Sequence, residues 1–251
     1  MDLRYSRNRI YINSEEQKLI KNIPILIAGS GIGSVIAECA LRLGFEHINI
    51  VDGDSVELSN LNRQNYLMDD IGSNKAEAIK RRLLSINPDA EIKSHNLFID
   101  MDNIESIIGN NKIAVNAIDI TSEVPQFFDK ICQEKNIPIL HPYNLGWGGL
   151  VAIISPKGFM LDIINKNDKP LNELKVVEYS TSYMRFWNSP QVWIEEIIEK
   201  YKEEDNTLPP PQLSVASWLV ASMCTDLIFR IATNREVKVF PRFYLSTIKN
   251  E

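Results

Sequence analysis

Apolar residues along this chain fall into short runs separated by amphipathic stretches, and that alternation predicts strands and helices in turn. Residues 23–28 (IPILIA) form a continuous apolar run that stops at glycines, as a strand buried on both faces does. Helical spacing follows over 34–43, with Gly44 placed as a C-terminal stop. Residues 47–51 (HINIV) predict a second strand that ends at Asp52. A helix over 75–86 is announced by Asn74-x-x-Glu77 and closed by Asn87-Pro88-Asp89. Further strands are expected at 91–94, 112–118, 137–140 and 150–154, with a helix over 123–134 between the middle two. The pattern is that of an α/β fold, a Rossmann-like and mostly parallel sheet flanked by helices.

Two connections interrupt the pattern. Residues 55–70 are polar with no clear period, and a loop of that length inside a compact domain is usually functional or disordered. Residues 141–149 (HPYNLGWGG) read as a glycine-rich, aromatic connection of the kind that shapes a pocket. After Ser155 periodicity weakens: loops are expected at 165–175 and 201–212, helices at 190–201 and 213–231, and strands at 237–240 and 242–245. The division is therefore a core over 1–155, opened by an N-terminal arm or helix over 1–20. Residues 156–251 form a smaller C-terminal α/β extension of the same domain, whose loops are expected to cover a substrate.

Composition narrows the partners. A length of 251 residues can bury the core of one large domain, and a net charge of −6 argues against a dominant nucleic-acid footprint. No apolar run is read as reaching the length of a membrane span, and residues 1–20 are too polar for a signal peptide, so neither nucleic acid nor membrane is expected. Cys39, Cys132 and Cys224 are dispersed and form no CxxC pair. That usage predicts a reducing, cytoplasmic setting without structural zinc. Cys132 and Cys224 fall in apolar helical stretches and are expected to be buried and structural.

Candidate chemistry concentrates at the tips of the first strands. Gly29, Gly31 and Gly33 let a backbone approach a phosphate at a helix N-terminus, and Asp52 can accept hydrogen bonds from ribose hydroxyls. The third glycine of a dinucleotide fingerprint would fall at Ser34, so the unit points to a nucleotide and only weakly to NAD. The stretch 51–75 then places Asp52, Asp54, Asn60, Arg63, Gln64 and Lys75 close together, joining ribose acceptors to phosphate cations. Lys75 lies in the first turn of its helix, where a cation opposes the dipole unless an anion sits beside it. Asp119 is delivered to the carboxyl end of the fourth strand, where ligands of parallel sheets bind. His47 and His95 are expected to be structural or exposed, whereas His141 ends a strand near the pocket.

RYSR at 4–7, the glycine turn, VDGDSVELSNLNRQ at 51–64, DDIGSNKAEA at 69–78, INP at 86–88 and Asp119 occur in one order, and over roughly residues 1–155 the chain resembles the ThiF, MoeB and HesA proteins. These are bacterial relatives of the ubiquitin-activating enzymes. The resemblance implies ATP- and Mg²⁺-dependent adenylation of a carboxylate, at the C-terminus of a peptide or a small ubiquitin-like carrier protein. It implies that Asp52 holds ribose, that Asn60, Arg63 and Lys75 contact the phosphates, and that Asp119 holds magnesium. It also implies a homodimer in which Arg7 reaches the neighbouring subunit's phosphates. The chain departs from the family pattern in a glycine turn shorter by one residue. Ile120, Val124 and Pro125 stand where an Asn and an Arg commonly follow the magnesium aspartate, and no thioester cysteine has a clear counterpart. Two other readings stay open: an NAD-linked oxidoreductase on the same glycines and Asp52, and a catalytically degenerate binding subunit of this family.

Overall fold

The computed structural model describes residues 2–165, 171–204 and 208–249. The strands are β1 (Pro24–Ala28), β2 (His47–Val51), β3 (Glu91–His95), β4 (Ile113–Asn116), β5 (Ile139–Asn144), β6 (Gly148–Ile154) and β7 (Phe243–Thr247). They form one sheet in the order β3-β2-β1-β4-β5-β6-β7. The first five are parallel, and β6 and β7 add antiparallel. Successive strands are added on one side of β1 up to β3 and on its other side from β4 onward, and this switch between the parallel neighbours β1 and β4 opens a crevice at their carboxyl ends.

The helices are α1 (Ser14–Lys21), α2 (Gly31–Leu43), α3 (Lys75–Ile86), α4 (Ile104–Ile108), α5 (Val124–Glu134), α6 (Glu173–Phe186), α7 (Val192–Glu203) and α8 (Ser214–Ala232). Because strand side chains alternate, Ile25 and Ile27 join a core with α2, α3 and α8. Leu26 and Ala28 face the opposite core, with α4, α5 and α6. Both faces of β1 are fully buried, which is why its sequence is unbroken apolar. Each such Ile or Leu side chain contributes roughly 1.5–3 kcal/mol through burial.

Several expectations need correction. The glycine turn belongs to the helix: α2 begins at Gly31, three residues earlier than apolar spacing indicates, because glycines carry no periodic signal. β4 ends at Asn116, not at Ile118, since β1 ends at Ala28 and offers no partner beyond that pair. The connection expected at 141–149 is instead a tight antiparallel hairpin, with β5 continuing to Asn144 and β6 opening at Gly148. Glycine is required there: a Cβ at Gly149 would lie 2.5 Å from Val220 of α8. Of the two tail strands only β7 forms, because 237–240 lies outside the sheet ladders.

The polar 165–175 stretch hides the start of α6, capped by Asn172, whose side chain accepts from Lys175 N at 2.9 Å. The expected mobile loops fall partly on 166–170 and 205–207, outside the described residues. The C-terminal part joins the same sheet and the same two cores. α8 also corrects the reading of apolar length: it is long and apolar enough to cross a membrane. Its apolar side here is taken up by α2, β5 and β6.

The N-terminal arm is a 3-10 turn (Leu3–Asn8) followed by α1. Buried Tyr5 anchors it, its hydroxyl accepting from Asn87 Nδ2 at 3.2 Å at the C-terminal end of α3. Arg4 pairs with Asp89 at 2.6 Å and with Asn87.

Candidate active site

At the crevice lies a cavity of about 880 Å³. Its floor is the β1–α2 turn. Gly29 has φ +88°, and a Cβ there would lie 2.3 Å from Ala117 O, so both conformation and contact demand glycine. Gly31 also lines the cavity. Gly33 does not: a Cβ there would meet Ile27 Cγ2 at 2.6 Å, so it serves close helix–sheet packing. Asp52, at the tip of β2, is already engaged: its Oδ2 accepts from Ser30 N (2.7 Å) and Ser30 Oγ (2.9 Å), and its Oδ1 from Asp54 N (2.8 Å). The carboxylate therefore ties the glycine turn to β2.

The long polar connection is ordered, and backbone pairing explains how Lys75 reaches the cavity. Val56 N donates to Ser73 O and Lys75 N to Asp54 O, so the segment folds back on itself. Asn74 fastens the return, donating from Nδ2 to Asp52 O (2.8 Å) and Asp54 O (3.0 Å) while its Oδ1 caps α3. Glu77 does not complete the capping box; it accepts from Ser94 Oγ instead. Lys75, 11% exposed at its side chain, pairs with Asp54 at 3.0 Å. Asn60 Oδ1 accepts from Glu57 N, which locks the 3-10 turn Leu58–Asn60 and leaves its NH₂ as a donor. Arg63 is braced by Ser59 O (2.9 Å) and Asn62 Oδ1 (2.8 Å), and its Nε donates to Gln212 Oε1 at 2.6 Å. That last bond ties the Arg63 side of the cavity to the segment before α8.

Electrostatics converge on Asp119. Burial pushes its carboxyl above the usual range, and Asp54 and Asp52 add to the effect; Lys75 and Arg63 pull it back. Burial also lowers the Arg63 pKa, opposed by Asp119. A carboxylate held this way gains from a cation beside it. Mg²⁺ takes one or two protein carboxylates together with substrate phosphates, so Asp119 among two further aspartates and two cations suits such an ion. Among the described residues no group of three or more His, Cys, Asp or Glu forms a cage by itself.

Gly29, Gly31, Asp52, Asp54, Asn60, Arg63, Gln64, Lys75 and Asp119 thus all line one cavity. Arg7 does not; it is exposed on the arm beside the C-terminal ends of α2 and α3, away from the glycine turn. Cys132 and Cys224 are fully buried, and burial raises both thiols, as expected of structural cysteines.

A ThiF family model matches residues 5–250. The chain belongs to the ThiF family. It is 34% identical over 159 residues to the sulfur carrier protein ThiS adenylyltransferase of Bacillus subtilis, covering 61% of this chain and 47% of that protein. It is 26% identical over 159 residues to the SAMP-activating enzyme E1 of Haloferax volcanii, covering 62% and 58%. The chain therefore spans about half the length of these curated relatives. Among solved structures, Escherichia coli MccB with ATP superposes with a TM-score of 0.72 at 20% identity, over 100% of this chain and 73% of that one. PaaA superposes with a TM-score of 0.66 at 21% identity, over 94% and 73%. At such identities the likeness shows the fold, which is that of these ThiF-like proteins.

Three functional candidates were missed by reading the sequence. Glu173, the first residue of α6, lines the cavity, and burial and Asp119 push its carboxyl up to about 7. Tyr143 on β5 lines it with a buried hydroxyl that has no hydrogen-bond partner among the described residues. Trp193 on α7 walls its far side. A signal for Glu173 exists: Asn172 followed by Leu174, Val176 and Val177 is a cap and an apolar stripe. His141 lines the cavity as expected, but it lies within β5 rather than at a strand end, and is 4% exposed; its Nε2 meets Asp129 Oδ1 at 3.0 Å, and Asn116 donates to the same oxygen.

Proposed function

We propose that the protein adenylates a carboxylate, at the C-terminus of a peptide or a small ubiquitin-like carrier protein, using ATP and Mg²⁺. The observation that carries this reading is that Arg63, Lys75 and Asp119 meet the Gly29–Gly31 turn around a single cavity. Relatives named for activating a sulfur carrier protein or SAMP support it, as does MccB, crystallised with ATP and with MccA.

In this reaction the substrate carboxylate attacks the α-phosphorus and pyrophosphate leaves. No protein nucleophile is needed, so catalysis rests on positioning and charge. Lys75 would exchange Asp54 for a phosphate oxygen, which also reverses the unfavourable sign of a cation at the first turn of α3. Arg63, oriented by Ser59, Asn62 and Gln212, keeps Nη2 for the phosphates. Asp119 would hold Mg²⁺, which supplies positive charge to the leaving pyrophosphate when bound. The reading includes a homodimer, in which exposed Arg7 of one subunit reaches the other's phosphates, and a cytoplasmic setting consistent with three free cysteines.

Carboxylate-dependent ATP–pyrophosphate exchange, measured across candidate peptides and carrier proteins, tests the reading. Exchange is expected in the native protein and is lost in Asp119→Ala. No exchange together with no ATP binding by calorimetry would overturn it, and exchange unaffected by Asp119→Ala would point to a different metal site. Sedimentation of the native protein at micromolar concentration checks the dimer.

A further inference from the structure

The cavity extends well past the residues that nucleotide chemistry uses. Its volume of about 880 Å³ lies near the top of the roughly 300–1,000 Å³ range of small-ligand pockets. The second lobe is walled by Leu174 and Val177 of α6, Trp193 and Ile197 of α7, and Pro209–Pro211. Trp193 and Ile194 are almost fully buried and form a small apolar cluster with Leu174, Val177 and Leu145, so the wall is packed in place rather than fluid. Among the described residues that α6, α7 and 208–212 contribute to the lining, none is cationic, and Glu173 is the one carboxylate. Tyr143 also lines the cavity, but its hydroxyl is closed off in the core beneath, so the lobe presents its apolar lining and Glu173.

We propose that this lobe is the acyl subsite, and that it takes a polypeptide C-terminus whose last residue carries a bulky apolar side chain. The inference rests on the adenylation reading for the position of the carboxylate beside Asp119. A Gly-Gly tail has no side chain to cover the Leu174–Val177–Trp193 wall, and an acidic last residue would meet Glu173.

The test is calorimetric titration of the full chain, first with a non-hydrolysable ATP analogue and Mg²⁺, then, at saturation, with N-acetylphenylalanine and with N-acetylglycylglycine. The phenylalanine probe is expected to bind at least tenfold more tightly, the low end of what an apolar pocket draws from a side-chain increment. Val177→Phe, which fills the lobe, is expected to bring that ratio close to one; Ile197→Trp gives the same reading from α7 if the first variant does not fold. No binding of the ATP analogue overturns the adenylation reading itself. Binding of the analogue with equal affinities, with preference for the glycylglycine probe, or with neither acyl probe bound overturns the apolar subsite alone.

Discussion

Glu173→Gln offers a test in which the sign, the size and the pH window all follow from the structure. The Glu173 carboxyl is pushed up to about 7 from the usual 4.5, by burial first and by Asp119 second. At 1.36 kcal/mol per pH unit, that corresponds to at most about 3 kcal/mol of preference for the neutral form in the folded state. Because the folded pKa is the raised one, stability is fully present below about 4.5 and falls as pH rises to about 7, after which the loss is constant. Glutamine keeps the shape and can still accept from the backbone N–H of Ile120, while carrying no charge. The ligand-free variant should therefore melt like the native protein near pH 4.5 and above it at pH 8. Partial solvent screening halves the upper bound to about 1.5 kcal/mol, and for a chain of this size roughly 2–4 °C accompanies each kcal/mol. Thermal denaturation followed by circular dichroism in a pH series from 4.5 to 8.5 checks this. A difference that is flat across the series, or a variant less stable at pH 8, would refute the buried-carboxyl account.

Two further substitutions probe the nucleotide side. Lys75→Ala removes the largest positive influence on Asp119 and frees Asp54, which is half-exposed. Fold stability should change by less than about 1 kcal/mol, while exchange activity falls by about 10²–10³-fold and its acid limb moves to higher pH. Gly29→Ala combines a φ of +88° with a 2.3 Å approach to Ala117 O. It should cost at least about 1–2 kcal/mol from backbone strain alone, and, by pushing Ala117 away, it should weaken ATP binding measured by calorimetry.

How much of this was legible in the chain depends on the range of the interaction that decides each feature. The βαβ unit was legible because its signals are local: an unbroken apolar run, a glycine stop, and Asp52 at the tip of β2. Nine of the eleven site residues expected from the sequence line one cavity, since they sit at strand tips or on the stretch that folds back from Asp52 to Lys75. Helix α6 was hidden because its cap follows a polar stretch, and the β5–β6 hairpin because Gly148 and Gly149 are needed for packing against Trp193 and α8, which a glycine-rich string does not reveal. Gly33 shows the same limit: its type was noticed, but only its contact with Ile27 says that it packs a helix rather than cradling a ligand.

What the amino-acid sequence showed by itself is the βαβ unit and the order of the candidate residues from Gly29 to Asp119, because short-range spacing and strand periodicity encode them, and, through its motifs, the resemblance to the family. The C-terminal loops were expected to cover a substrate, but only the tertiary structure decided that α6, α7 and residues 208–212 line the same cavity, joined to it by Arg63 and Gln212, 149 residues apart. It also decided that Glu173 stands near Asp119 and that the Tyr143 hydroxyl lacks a partner among the described residues. A pKa or an unpaired hydroxyl is a property of what surrounds a group, and those surroundings come together only when distant elements pack.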